Sequence, residues 1–166
     1  GDAVKLFGGV GWKNAVKTGL MERLVSEISG RGIAVSTLKH AHHNFDVDQP
    51  GKDSHRHRVA GAQEVLVAGA QRWARMAELR GAEEPSLSEL LSKMSPVDLV
   101  LIEGWKRDGH PKIEAWREVT GHALMAPNDP TIRAVASDAE LELSCPVFDL
   151  DDTKAIAGFI CAEVGL

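Results

Sequence analysis

Near its start the chain runs Gly8-Gly9-Val10-Gly11-Trp12-Lys13-Asn14-Ala15-Val16-Lys17-Thr18-Gly19-Leu20, a glycine-rich turn that commits its two flanks to a strand and a helix. An apolar stretch leads in at 4–7, and Leu20, Met21, Leu24, Val25 and Ile28 recur behind it at helical spacing. Gly30 and Gly32 supply a stop, and residues 33–38 read as the next strand, which completes a βαβ unit. Gly11, Lys17 and Thr18 satisfy the phosphate-binding pattern G-x-x-x-x-G-K-[ST], in which successive backbone N–H groups wrap an anion and Lys and Ser/Thr complete the shell. Val16 occupies the place of the penultimate glycine. A branched side chain there is expected to project toward the phosphate and to narrow the backbone's choice of dihedrals. A dinucleotide-binding turn fits less well: Gly9-x-Gly11-x-x-Asn14 lacks the third glycine, and the second strand ends in Lys39 instead of an acid.

These elements predict an α/β protein of P-loop NTPase-like type: three layers, α/β/α, with a mostly parallel central sheet plus a β-hairpin, as a single domain over 1–166. A chain of 166 residues, 43% hydrophobic, can bury a sizeable core. Its formal charge of −5 argues against a nucleic-acid groove. No apolar run approaches the roughly 20 residues that span a bilayer, and no basic, apolar, small-residue leader stands at the start, so no membrane is expected and the cytoplasm is. Cys145 and Cys161 form no C-x-x-C pair and read as buried thiols.

No internal repeat or low-complexity linker interrupts the remainder. Residues 40–58 are polar and histidine-rich and read as a long charged loop leaving a strand end, where doubly wound folds place a ligand. Residues 64–77 read as a hairpin and 85–94 as a short helix capped by Ser86. Strands are expected at 97–102, 113–117 and 132–136. A closing helix capped near Asp152 should face the core with Ile156, Phe159, Ile160 and Val164.

The run Val97-Asp98-Leu99-Val100-Leu101-Ile102-Glu103-Gly104 suits a parallel strand covered on both faces, with an acid at its tip beside the phosphate loop. Glu103 and Thr18 are then placed to hold Mg²⁺, which takes few protein ligands and several waters. Among the histidines, His40 and His42 share a face if the strand continues, and His43, His55 and His57 come near only by folding. A zinc site there is disfavoured, because no cysteine completes it. Lys39, His40, His42, Asp46, Lys52 and Asp53 are instead the expected ligand-responsive segment over the phosphates, for nucleotide, metal-bound water or a pterin phosphate.

The block Lys39-His40-Ala41-His42-His43-Asn44-Phe45-Asp46-Val47-Asp48-Gln49-Pro50-Gly51-Lys52-Asp53-Ser54, followed by Ala60-Gly61-Ala62, Gln71-Arg72-Trp73-Ala74 and Leu101-Ile102-Glu103-Gly104-Trp105-Lys106, closely resembles the molybdopterin-guanine dinucleotide biosynthesis protein B (MobB) family. The similarity reaches from the first strand through Ala134-Val135-Ala136-Ser137-Asp138. It implies a cytoplasmic, homodimeric GTP-binding accessory protein with weak GTPase activity, which assists the guanylyltransferase partner that attaches a guanine nucleotide to molybdopterin. Where the family typically has Asn-Ser-Gly-Lys-Thr-Thr-Leu, this chain has Asn14-Ala15-Val16-Lys17-Thr18-Gly19-Leu20. All three departures touch the nucleotide loop, so weakened GTP affinity is expected.

Two further readings stand beside that one. The domain acts without nucleotide, docking the transferase or carrying molybdopterin; or, less favoured, it is a His-loop zinc protein. In the nucleotide-binding reading, Gly11, Asn14, Ala15, Val16, Lys17 and Thr18 form the phosphate cradle and Thr18 and Glu103 hold Mg²⁺. An autonomous hydrolase is the least favoured enzyme reading, since no Ser-His-Asp order, nucleophile elbow or H-E-x-x-H helix occurs. No N-K-x-D motif selects guanine, so GTP over ATP rests on the resemblance alone.

Overall fold

A computed structural model describes residues 4–12, 14–41, 48 and 52–166. Its contacts divide into two compact units, Gly1–His40 with Ser95–Leu166, and Ala41–Met94. In the first unit six strands form one sheet, ordered β2-β5-β1-β6-β7-β8, and every pairing is parallel. They are β1 (Leu6–Val10), β2 (Val35–Lys39), β5 (Leu99–Glu103), β6 (Lys112–Trp116), β7 (Ile132–Ser137) and β8 (Val147–Asp149). Among the described residues, the α-helices of this unit are α1 (Asn14–Gly30) and α4 (Thr153–Glu163), with short 3-10 turns at Glu118–Thr120 and Ala126–Asn128. The fold class is the expected α/β one.

Strand alternation builds the core. Phe7, Leu99, Leu101, Ile113, Ala115, Ala134 and Ala136 point to one side, where Leu20, Leu24 and Ile28 of α1 meet Ile156, Ala157 and Ile160 of α4. Phe159 and Val164 pack at the margin of this cluster, as their spacing required. Asp152 caps α4 by accepting the Ala155 N–H at 3.2 Å. The opposite face of the sheet is buried too, through Val100, Ile102 and Val135, but also through Lys112 and Glu114, both fully enclosed. Polar connections cover that side of β6: the Lys112 ammonium donates to the carbonyls of Asp108 and His110 and to Thr131 Oγ1, while Glu114 accepts the N–H groups of Met125 and Ala126. Burial of a charge is tolerable only with such partners.

Several boundaries differ from the sequence reading. The first strand begins at Leu6 instead of residue 4 and includes Gly8 and Gly9. A Cβ at Gly8 would lie 2.6 Å from His110 Nε2, and one at Gly9 2.6 Å from Met21 Sδ. These glycines therefore serve close packing of a strand, not a turn. The edge strand β8 was not anticipated; at three residues it is too short to show alternation. Cys161 is buried as expected, whereas Cys145 is only partly so, and neither forms a disulfide.

The second unit contains α2 (Asp53–Ala60), the antiparallel hairpin β3 (Glu64–Ala68) and β4 (Trp73–Ala77), and α3 (Leu87–Ser92). Ser86 caps α3 through the Glu89 N–H, as predicted. Helix α2 corrects the expectation of a continuous loop over 40–58. It buries no residue, so it lacks the apolar stripe by which a helix is recognised. Arg58, near its end, bonds Asp48 in a bidentate pair at 2.5 and 3.1 Å and Glu78 at 2.8 Å, which ties the polar segment to the hairpin strand's end.

Candidate functional site

The parallel sheet sends the C-terminal ends of β1, β2 and β5 to one edge, and the residues singled out by motif meet there. Thr18 Oγ1 donates to Glu103 Oε2 at 3.4 Å. Lys39 Nζ lies 3.8 Å from the same carboxylate oxygen. Lys17, only 8% exposed, is held below the ordinary lysine pKa by burial; Glu103 opposes that shift, and Lys39 and Lys106 add to it. Among the described residues named here, Lys17, Lys39 and Lys106 thus stand with one carboxylate, Glu103, a balance that favours an anion.

A hydroxyl and a carboxylate are the oxygen donors Mg²⁺ takes; neighbouring octahedral ligands at 2.0–2.1 Å from that ion stand about 2.9 Å apart, and Thr18 Oγ1 and Glu103 Oε2 stand 3.4 Å apart. No group of three or more His, Cys, Asp or Glu capable of holding a metal occurs among the described residues.

The turn after β5 carries strain. Gly104 has φ +100, and a Cβ on it would approach His40 Cβ to 2.6 Å, so the tips of β2 and β5 touch only because that residue is glycine. Trp105 follows with φ +49, a region rarely adopted by a bulky side chain. Its ring meets His40 edge-on, centroids 5.2 Å apart. This turn delivers Lys106 back toward Lys17.

The phosphate loop differs from expectation in one respect. Helix α1 already includes Asn14, Ala15 and Val16, and Val16, partly buried, packs against the hydrophobic core. Its side chain thus lies at least partly against the protein. An α-helix leaves its first four N–H groups unbonded, so the amides at the start of α1 are the ones an anion could meet. Gly11 is needed on packing grounds, since a Cβ there would come within 2.8 Å of the Ala115 carbonyl oxygen.

Of the expected ligand-responsive segment, Lys39 and His40 lie at this edge; Lys52 and Asp53 begin α2 in the second unit; His42 and Asp46 lie outside the described residues, as does His43. His55 and His57 sit on α2. Residues not singled out from the sequence also join the site. Lys106 was legible as the first cation after the strand-tip acid. Trp12 stacks on His122 with centroids 4.8 Å apart, donates its Nε1–H to the Ala123 carbonyl at 3.1 Å and lies 5.9 Å from Lys106 Nζ. His122 is far along the chain, and no local signal announces that contact.

Residues 6–138 match the family model described as molybdopterin guanine dinucleotide synthesis protein B, MobB. Over 162 residues the chain is 40% identical to the molybdopterin-guanine dinucleotide biosynthesis adapter protein of Escherichia coli K12, covering 95% of this chain and 91% of that protein. The adapter protein of Haemophilus influenzae is 38% identical over 159 residues, with 95% and 88% coverage. Among solved structures, a crystal structure of molybdopterin-guanine biosynthesis protein B superposes with a TM-score of 0.77 at 23% identity, covering 97% of this chain and 99% of that one. A MobB homologue from Bacillus stearothermophilus superposes with a TM-score of 0.67 at 28% identity, with 96% and 97% coverage. No helix among the described residues is long and apolar enough to cross a membrane. On the family match and the identity to both adapter proteins, the chain belongs to the molybdopterin guanine dinucleotide synthesis protein B family.

Proposed function

We propose that this protein is a cytoplasmic adapter of molybdopterin guanine dinucleotide biosynthesis, which holds a phosphate-bearing ligand at the β1, β2 and β5 strand ends for a guanylyltransferase partner. The observation that carries this reading is the buried Lys17 ammonium beside Glu103, with Lys39 and Lys106 adding charge around them. Such a group is costly to enclose unless an anion accompanies it in use. With GTP bound, Lys17 and Lys39 would face the phosphates, and Thr18 and Glu103 would hold Mg²⁺, which would supply charge neutralisation of the phosphate oxygens. The protein acts by binding and presenting; with Val16 in the place of the loop's penultimate glycine, positioning for phosphoryl transfer is poor and GTPase activity weak at most. The hairpin β3–β4 leaves its strand edges unpaired and exposes Leu66, Val67 and Trp73, which suits a homodimer contact.

The helical winding at Asn14–Val16 and the core packing of Val16 favour a second reading, in which the same cations take a molybdopterin phosphate and no nucleotide. Calorimetric titration with Mg-GTP and with a pterin phosphate, on the wild type and Lys17→Ala, tests both. Loss of binding in Lys17→Ala is expected for whichever ligand the protein takes; undiminished binding refutes the site.

A further inference from the structure

Trp12 follows Gly11 at the very start of the phosphate loop, and it is 54% exposed. An exposed tryptophan is usually free to rotate, but this one is held at several points. Its indole N–H is fixed to the Ala123 carbonyl, and the His122 imidazole lies nearly parallel to it, at 15° between planes. The segment that supplies both groups is itself anchored. Fully buried Glu114 accepts the Met125 and Ala126 N–H groups on one side, and Trp116 Nε1 donates to the His122 carbonyl at 2.9 Å on the other. The result is an aromatic plate, backed by a second ring, whose orientation is set by β6. Lys106 Nζ lies over the indole, 5.9 Å from its centre, three residues beyond the carboxylate bonded to Thr18, so a ring arriving on that face takes the place of the ammonium.

We infer that Trp12, backed by His122, is a stacking platform for the flat heteroaromatic ring of the phosphorylated ligand, whose phosphates Lys17 and Lys106 take. The inference rests on the phosphate site proposed above and adds to it the part that recognises the ring. An indole plate reads a π-face and not a hydrogen-bond pattern, so it accepts the purine of a guanine nucleotide or the pterin of a pterin phosphate alike. Preorganisation is the reason to fix it: a ring already oriented loses no rotamer freedom when the ligand arrives. A purely structural Trp12 would need only the Ala123 bond and burial, and it is left more than half open.

The test compares ligands with and without a ring. GTP, inorganic tripolyphosphate and a pterin phosphate are titrated into wild type, Trp12→Ala and Trp12→Phe by calorimetry in magnesium buffer, with melting temperatures as a check on folding. Trp12→Ala should bind the ring-bearing ligand about tenfold to a hundredfold more weakly, Trp12→Phe should fall between, and tripolyphosphate affinity should not change. Whichever of GTP and pterin phosphate shows that pattern is the ring's source. If the ring-bearing ligand binds Trp12→Ala as well as wild type, the platform is refuted while the phosphate site stands. Equal losses for tripolyphosphate and the ring-bearing ligand also refute it, and assign Trp12 to loop shape. Failure of wild type to bind any of the three overturns both the platform and the phosphate site.

Discussion

Replacing Val16 by glycine should separate the stability of the phosphate loop from its ability to bind. In the structure Val16 lies in the first turn of α1 and packs against the core cluster. Full burial of a valine side chain is worth about 1.5–3 kcal/mol, so a partly buried one contributes roughly 1 kcal/mol. Glycine in place of valine in a helix costs roughly 0.5 kcal/mol more. The variant should thus lose about 1.5 kcal/mol, which for a chain of this size lowers the melting temperature by roughly 3–6 °C. The same change favours unwinding of Asn14–Val16 and releases amides to wrap a phosphate. Each charge-assisted hydrogen bond so gained is worth about 1.5–3 kcal/mol, so affinity for Mg-GTP should rise at least about tenfold. Scanning calorimetry and isothermal titration read the two effects. A variant that melts with the wild type would show that Val16 packs against nothing. Unchanged affinity against a wild type already binding at micromolar level would show that the helical start does not obstruct nucleotide.

Two other perturbations follow from the buried polar groups of and beside β6. His110 is 8% exposed, neither ring nitrogen has a hydrogen-bond partner among the described residues, and burial, then Lys112, lowers its pKa to about 4, with Asp108 opposing. Since the unfolded imidazole titrates near 6.5, the unfolded chain binds the extra proton first, and stability should decline as pH falls from about 6.5 to 4, by roughly 3 kcal/mol at most. Thermal melts across that range should show the decline, and His110→Gln should flatten it; identical slopes would refute the assignment. Glu114→Ala leaves the partly buried Met125 and Ala126 N–H groups without their acceptor, and should cost about 2–4 kcal/mol by chemical denaturation. A loss below 1 kcal/mol would show that the carboxylate does not hold that segment.

How legible the site was depended on how local its signals are. The strand, turn and helix around Gly11 and Lys17, and the acid ending an apolar strand at Glu103, are encoded within a few residues of one another, and the parallel sheet brought them together as their pattern required. Helix α2 was not legible, because a helix that buries no residue carries no hydrophobic period. The strand expected at 113–117 starts at Lys112, and nothing in its pattern announced that Lys112 and Glu114 are enclosed, since their partners come from the connections around 108 and 125. Lys106 was visible only as a neighbour of Glu103, and its field at Lys17 depends on the positive-φ turn through Gly104 and Trp105.

By itself, then, the sequence determined the βαβ start, the run of parallel strands, the placement of Lys17, Thr18 and Glu103 at one sheet edge, and the likeness to the MobB family, because backbone periodicity and short motifs act over a few residues. Tertiary structure alone decided where the Val16 methyl groups go and which distant residue faces Trp12. A side chain's direction within a helix turn depends on what packs beside it, and the contact of Trp12 with His122 and Ala123 is made by the pairing of β1 with β6 and the anchoring of Met125 on Glu114.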